Sequence, residues 1–210
     1  MSALAAAPGR PLGLVHLVAD LDDFAAEGHL AAACRPLIAE GLPSMQIRAR
    51  GRTSEQIVRA AMALRLEAER AGCLFVVNGD VDAARYLGAD GIHLPAHGTS
   101  VAEARERAPK MAVGVSCHDG NELAAAEGAD WAFLSPVFPT LSKPGADGIG
   151  TARLKEMIGS APAPVYALGG INRENAAEAL ESGAAGVAAI RGLRGEDGPE
   201  MLRALREAVG

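Results

Sequence analysis

The segment Leu87-Gly88-Ala89-Asp90-Gly91-Ile92-His93-Leu94 decides the fold. It reads as the end of a helix, a glycine that closes it, and a short apolar strand. Glycine takes the left-handed conformation that ends a helix without steric cost. The same junction returns at Ala39-Glu40-Gly41, Ala71-Gly72-Cys73, Glu127-Gly128-Ala129-Asp130 and Ser182-Gly183-Ala184-Ala185. Short apolar runs follow at 45–50, 74–78, 91–94, 131–134 and 186–190, and further strand candidates lie at 13–19, 111–116 and 164–168. Helices fit between them. Residues 54–70 place Ile57, Ala61, Leu64 and Ala68 at helical spacing, with Thr53 as N-cap. Others are expected at 23–39, 80–87, 101–108, 121–127, 152–158, 173–181 and 199–209. Strands alternating with helices imply parallel pairing through right-handed crossovers. Eight such repeats in 210 residues predict an α/β fold, a single (βα)8 TIM barrel over 1–210, with a flexible tail at 1–10. An open doubly wound sheet is the runner-up. No glycine-rich dinucleotide fingerprint follows the first strand, which carries Leu17-Val18-Ala19-Asp20.

Composition narrows the function classes. Hydrophobic residues make up 49% and charged residues 22%, which excludes disorder as the dominant state. Twenty Lys and Arg against 26 Asp and Glu leave a net charge of −6, with no basic stretch to attract nucleic acid. No apolar run approaches the roughly 18 residues of a membrane span. The start, Met1-Ser2-Ala3-Leu4-Ala5-Ala6-Ala7-Pro8, lacks the basic region of a secretory signal. Cys34, Cys73 and Cys117 show no metal-ligand spacing and suit reduced thiols in a cytoplasm.

In such a barrel the C-terminal tips of the strands hold the site. On the second strand Gln46, Arg48 and Arg50 share one face, and Met45, Ile47 and Ala49 the other. The apolar face meets helices, so the polar face points inward, and inward guanidiniums call for an anion. A strand end with internal ion pairs is the plainer reading. Asn78 at the third tip suits substrate hydrogen bonds, while Asp80 suits the N-cap of the next helix. At the fourth tip His93 reads as packed and hydrogen-bonded, and His97 as exposed. His118 opens the loop after the fifth strand, where an imidazole can exchange a proton near neutral pH. Its neighbour Cys117 reads as a buried, inert thiol. Thr140, Ser142 and Lys143 follow the sixth strand in a Pro/Gly-framed loop suited to closing over an anion. Gly169-Gly170 after the seventh strand and Ile190-Arg191 after the eighth match the usual phosphate pocket of the fold.

Residues 14–193 resemble the thiamine phosphate synthase/TenI family of small (βα)8 barrels. The resemblance rests on Gln46-Ile47-Arg48, Gly88-Ala89-Asp90-Gly91-Ile92-His93-Leu94, Gly114-Val115-Ser116-Cys117-His118, Ser135-Pro136-Val137-Phe138-Pro139-Thr140 with Ser142-Lys143, and Leu168-Gly169-Gly170-Ile171. It implies one of two reactions. The synthase branch joins an aminomethyl-pyrimidine diphosphate to a thiazole phosphate, releasing pyrophosphate with Mg²⁺. The TenI branch includes a tautomerase that aromatises a carboxythiazole phosphate. The synthase's Gln-x-Arg-x-Lys run ends here in Arg50, Asn78 is kept, one metal aspartate falls on Gly79, and the other falls in Pro95-Ala96-His97, which has no carboxylate. The expectation is therefore a TenI-like thiazole tautomerase with His118 as catalytic residue. Gly169, Gly170, Ile190 and Arg191 would hold phosphate, and Gln46, Arg48, Arg50, Asn78, Thr140, Ser142 and Lys143 would contact substrate. The alternatives are a thiamine phosphate synthase and a non-catalytic thiazole phosphate binder. No metal or cofactor is expected, Mg²⁺ applying only to the synthase. The expected partner is a small phosphorylated thiazole, not nucleic acid or membrane, and a homo-oligomer stays open.

Overall fold

A computed structural model describes residues 11–23, 27–140, 145, 147–195 and 197–209, so the tail expected at 1–10 lies outside the described residues. Strands β1 (Val15–Asp20), β2 (Ser44–Arg48), β3 (Leu74–Asn78), β4 (Gly91–Leu94), β5 (Ala112–Cys117), β6 (Trp131–Leu134), β7 (Val165–Leu168) and β8 (Gly186–Ala189) alternate with helices α1 (Glu27–Ala39), α2 (Ser54–Ala71), α3 (Val81–Leu87), α4 (Val101–Arg107), α5 (Gly120–Ala124), α6 (Gly150–Ile158), α7 (Ala176–Glu181) and α8 (Asp197–Val209). The strands pair in parallel and in sequence order, and β8 closes on β1. The doubly wound alternative is thereby excluded, and the fold is a (βα)8 barrel.

Local chemistry accounts for the elements. Thr53 begins α2 through a reciprocal capping box with Gln56. Gly88 ends α3 at φ 58°, in the left-handed conformation the opening junction required. Most boundaries shift by a few residues from expectation, and three of the shifts lie at helices. The residues before α1 include a 3-10 turn at Leu21–Asp23. Helix α5 ends at Ala124. Helix α7 starts at Ala176, because Asn172 and Asn175 form a side-chain turn ahead of it.

Two apolar cores form. The outer one packs Ile47, Phe75, Val77, Ile92 and Leu134 against helix residues such as Ala61, Leu64, Ala83 and Leu154. The many alanines let the helices lie close to the sheet. The inner one lies inside the ring: Leu12, Val18, Val76, Ala112, Trp131, Phe133, Tyr166 and Ala188. Trp131 can fit only because its neighbours on β4 and β5 lack side chains. A Cβ on Gly114 would fall 2.0 Å from the indole Cε2, and one on Gly91 would fall 3.1 Å from its Cη2. Tyr166 lies against Gly186 in the same way, and its hydroxyl accepts the Leu12 N–H at 3.0 Å. The aromatic rings thus fill the lower barrel, and polar groups occupy the top.

Gly114→Ala is expected to lower stability by about 1–3 kcal/mol through overpacking against the indole. Urea unfolding of the variant checks this, and an unchanged midpoint would mean that Trp131 does not rest on β5.

Candidate active site at the strand tips

Strand alternation sorts the inner column of each strand. Reading upward, β1 gives His16, Val18 and Asp20; β2 gives Ser44, Gln46 and Arg48; β3 gives Leu74, Val76 and Asn78. The column changes from apolar or neutral at the base to charged or amide groups at the tip. Above it lies one cavity of about 680 Å³, to which all eight strand tips contribute. Gln46, Arg48, Arg50, Asn78, His118, Thr140, Gly169, Gly170, Ile190 and Arg191 all line it. Ser142 and Lys143 lie outside the described residues.

The arginines need a correction. Strand β2 ends at Arg48, paired in register with Asp20. Arg50 therefore lies past the strand, on the cavity rim, with a 63% exposed side chain. Arg48 already has an anion: its Nη1 lies 2.6 Å from Oδ2 of Asp20, whose side chain is only 5% exposed. Arg50 stands 3.6 Å from the same oxygen and 3.8 Å from Asp22. Internal pairing, the plainer reading of these cations, is what the fold adopts. Asn78 donates to Gln46 Oε1 at 3.0 Å, which steadies the amide wall beside them.

The opposite part of the mouth is built from backbone. Val137 and Phe138 donate to the carbonyls of Leu168 and Gly169 at 2.9 and 3.0 Å, so the loop after β6 is laced to the end of β7. Gly170 has φ 66°, and a Cβ there would meet the Pro139 carbonyl at 2.5 Å. No larger residue fits. Asn175 anchors the turn by donating to the Gly170 carbonyl at 2.9 Å.

Among the described residues, two histidines are buried in the barrel. His93 receives the Trp131 Nε1–H on Nδ1 at 3.1 Å, so its proton sits on Nε2 and is donated to Ser116 Oγ at 2.8 Å. The Ser116 hydroxyl can then donate toward the cavity it lines. The Ser44 hydroxyl donates to the Leu12 carbonyl, so His16 must donate from Nδ1 to Ser44, at 2.8 Å. Burial holds both imidazoles neutral, pushing His93 down to about 3 and His16 well below the ordinary range, with the nearby His93 a second cause for His16. Burial likewise pushes the Cys117 thiol up to about 12, as an inert thiol requires.

His118 is held differently. Its backbone N–H and its Nδ1 both lie against Glu122 Oε2, at 2.7 and 2.9 Å. The sequence reading missed Asp20, Asp22, Asp23, Ser116 and Asn172 as lining residues. Asp20 and Ser116 were within reach of the alternation rule. Asp22 pairs with Arg52 and Asp23 with Arg194. Among the described residues no three His, Cys, Asp or Glu side chains gather closely enough to hold a metal ion. Nor is any described helix long and apolar enough to cross a membrane.

Known proteins resemble this barrel along nearly its whole length. The family described as "Thiamine monophosphate synthase" matches residues 15–193. The thiamine-phosphate synthase of Methanoculleus marisnigri is 39% identical over 146 residues, 68% of this chain and 69% of that protein. The putative thiamine-phosphate synthase of Geobacter sulfurreducens is 38% identical over 155 residues, 72% of this chain and 73% of that protein. Among solved structures, thiamine phosphate pyrophosphorylase from Pyrococcus furiosus superposes with a TM-score of 0.81 at 29% identity, covering 93% of this chain and 95% of that one.

The neutral imidazoles make stability depend on pH. Unfolded, His16 and His93 take up protons below about pH 6.5, whereas folded they do not. Their contribution is complete above that value and declines as the pH falls. Each removes up to about 1.4 kcal/mol of stability per pH unit once the pH is below about 6. Urea midpoints should fall between about pH 7 and 5, before most carboxylates titrate; a flat profile there would mean that the imidazoles are hydrated in the fold.

Proposed function

The chain belongs to the thiamine monophosphate synthase family, and from that premise we propose that it couples a pyrimidine diphosphate to a thiazole phosphate in thiamine biosynthesis. The relatives' names favour this transferase reaction over the tautomerase that the sequence led us to expect. One observation carries it: a single mouth has two walls suited to anions. One is made of side chains, Gln46, Arg48, Arg50 and Asn78. The other is made of the Gly169-Gly170 turn and Arg191. Strands β3 and β7 stand four apart in the ring of eight, so Asn78 and the Gly169-Gly170 turn lie on opposite sides of the mouth. Two phosphorylated substrates would occupy one wall each, which is the arrangement a coupling reaction needs. In that reaction the thiazole nitrogen bonds to the pyrimidine methylene as the carbon–oxygen bond to the diphosphate breaks. The electron pair leaves with pyrophosphate, and Arg48 and Arg50 meet the charge that develops.

Mg²⁺, which the family resemblance implies, does not fit the positions expected for it. Gly79 has no side chain, and Pro95-Ala96-His97 offers no carboxylate. The Asp80 carboxylate is committed to the Ala83 N–H and the Ser54 hydroxyl, both at 2.8 Å. That misfit, together with His118 in the same mouth, favours a second reading: the proton shift that aromatises a carboxythiazole phosphate, which needs an imidazole and one phosphate pocket but no metal.

One assay separates them. Purified protein is given the pyrimidine diphosphate and thiazole phosphate, and separately the carboxythiazole tautomer. Pyrophosphate release is expected, with kcat/KM lowered about 10- to 100-fold in Arg48→Ala through loss of a charge-assisted contact. Aromatisation without pyrophosphate release, abolished in His118→Gln, would replace the first reading with the second. Binding without either reaction would overturn both.

A further inference from the structure

We propose that Glu122 is a positioning residue that fixes the tautomer of His118, leaving the Nε2 lone pair as the ring's offering to the cavity. The argument starts at the tip of β5. Asp119 Oδ1 accepts the N–H groups of Asn121 and Glu122, both at 2.9 Å, which sets the first turn of α5. That turn brings Glu122, four residues on, back over His118. One oxygen, Oε2, then takes two contacts from the same residue: the His118 backbone N–H at 2.7 Å and the ring Nδ1 at 2.9 Å. The double contact fixes the ring plane as well as the position of the residue.

An ionised carboxylate has no proton to give, so Nδ1 must carry one. In the neutral ring the other nitrogen is then an acceptor. Free histidine in water favours the opposite tautomer, with the proton on Nε2. Glu122 therefore inverts the intrinsic preference and turns a donor into a base. Both side chains are partly exposed, 37% for His118 and 29% for Glu122, and His118 lines the cavity, where a ligand can reach the ring. The contrast with His93 is informative. That ring is locked in the other tautomer by Trp131 and presents a donor to Ser116. The mouth thus combines one imidazole set to donate with one set to accept.

The use of this lone pair as a proton acceptor rests on the second reading of the site, in which His118 moves a proton. The tautomer itself does not, and the test keeps the two apart. The probe is long-range proton–nitrogen NMR of the imidazoles of the full chain at about pH 8, above the ordinary histidine range. Wild-type His118 should show the proton on Nδ1. Glu122→Ala should move it to Nε2, whereas Glu122→Gln, whose amide oxygen still accepts, should retain it on Nδ1. A purely structural cap would change stability in the alanine variant but not the tautomer. Aromatisation of the carboxythiazole tautomer should fall about 10-fold or more in kcat, with KM little changed, in Glu122→Ala and recover in Glu122→Gln. A wild-type ring protonated on Nε2, or an unchanged tautomer in Glu122→Ala, overturns the proposal. The wild-type and Glu122→Gln spectra suffice for this if the alanine variant does not fold. A tautomer that switches as expected, in a protein whose turnover ignores His118→Gln, upholds the positioning and removes only the catalytic use.

Discussion

The rest of the molecule depends on Trp131 lying across Gly91 and Gly114 inside the ring. Short strands give a barrel little interior, and it must be filled to native density. One indole, one phenol and one phenyl ring do most of this, and the adjacent strands surrender their side chains to admit them. The consequences run upward. The Trp131 N–H sets the proton of His93, His93 addresses Ser116, and Ser116 lines the mouth. The floor of the site is therefore wired into the packing of the core. A mouth can remain open above because the base is sealed.

The charges at the rim obey a second constraint. An arginine near a low-dielectric wall is costly unless an anion accompanies it. The fold supplies Asp20 to Arg48, Asp22 to Arg50 and Arg52, and Asp23 to Arg194. An incoming phosphate would compete with carboxylates already in place. The energetic gain from binding is then a difference between two pairings, smaller than a bare arginine–phosphate contact implies. In return the side chains stay oriented in advance. The glycine wall after β7 follows another logic, since its fixed backbone bends need no counter-charge.

Much of this was legible in the sequence. The glycine junctions locate strands, and residues 74–78, 91–94 and 131–134 were expected at the limits they have. Alternation placed Gln46 and Arg48 inside, and Asp80 and Thr53 acted as the caps they were read to be. The misses have physical causes. Arg50 was extrapolated along a strand that the ladder ends at the Asp20–Arg48 pair, a limit set by a neighbouring strand rather than by local residues. Asp20 was passed over although it follows His16 and Val18 in the same inward column. The Glu122–His118 contact needs the fold of a five-residue helix, which periodicity cannot resolve.

The two walls of the mouth also differ in what a substitution does to them. The wall at β7 and β8 is largely backbone and depends on glycine and turn geometry. The wall at β2, β3 and β4 is made of side chains, so a single replacement there changes its chemistry without disturbing a strand. Likeness spread over residues 15–193 speaks to the barrel as a whole. At the tips of β2 to β5 this chain sets arginines, an amide and two differently bonded imidazoles around one cavity.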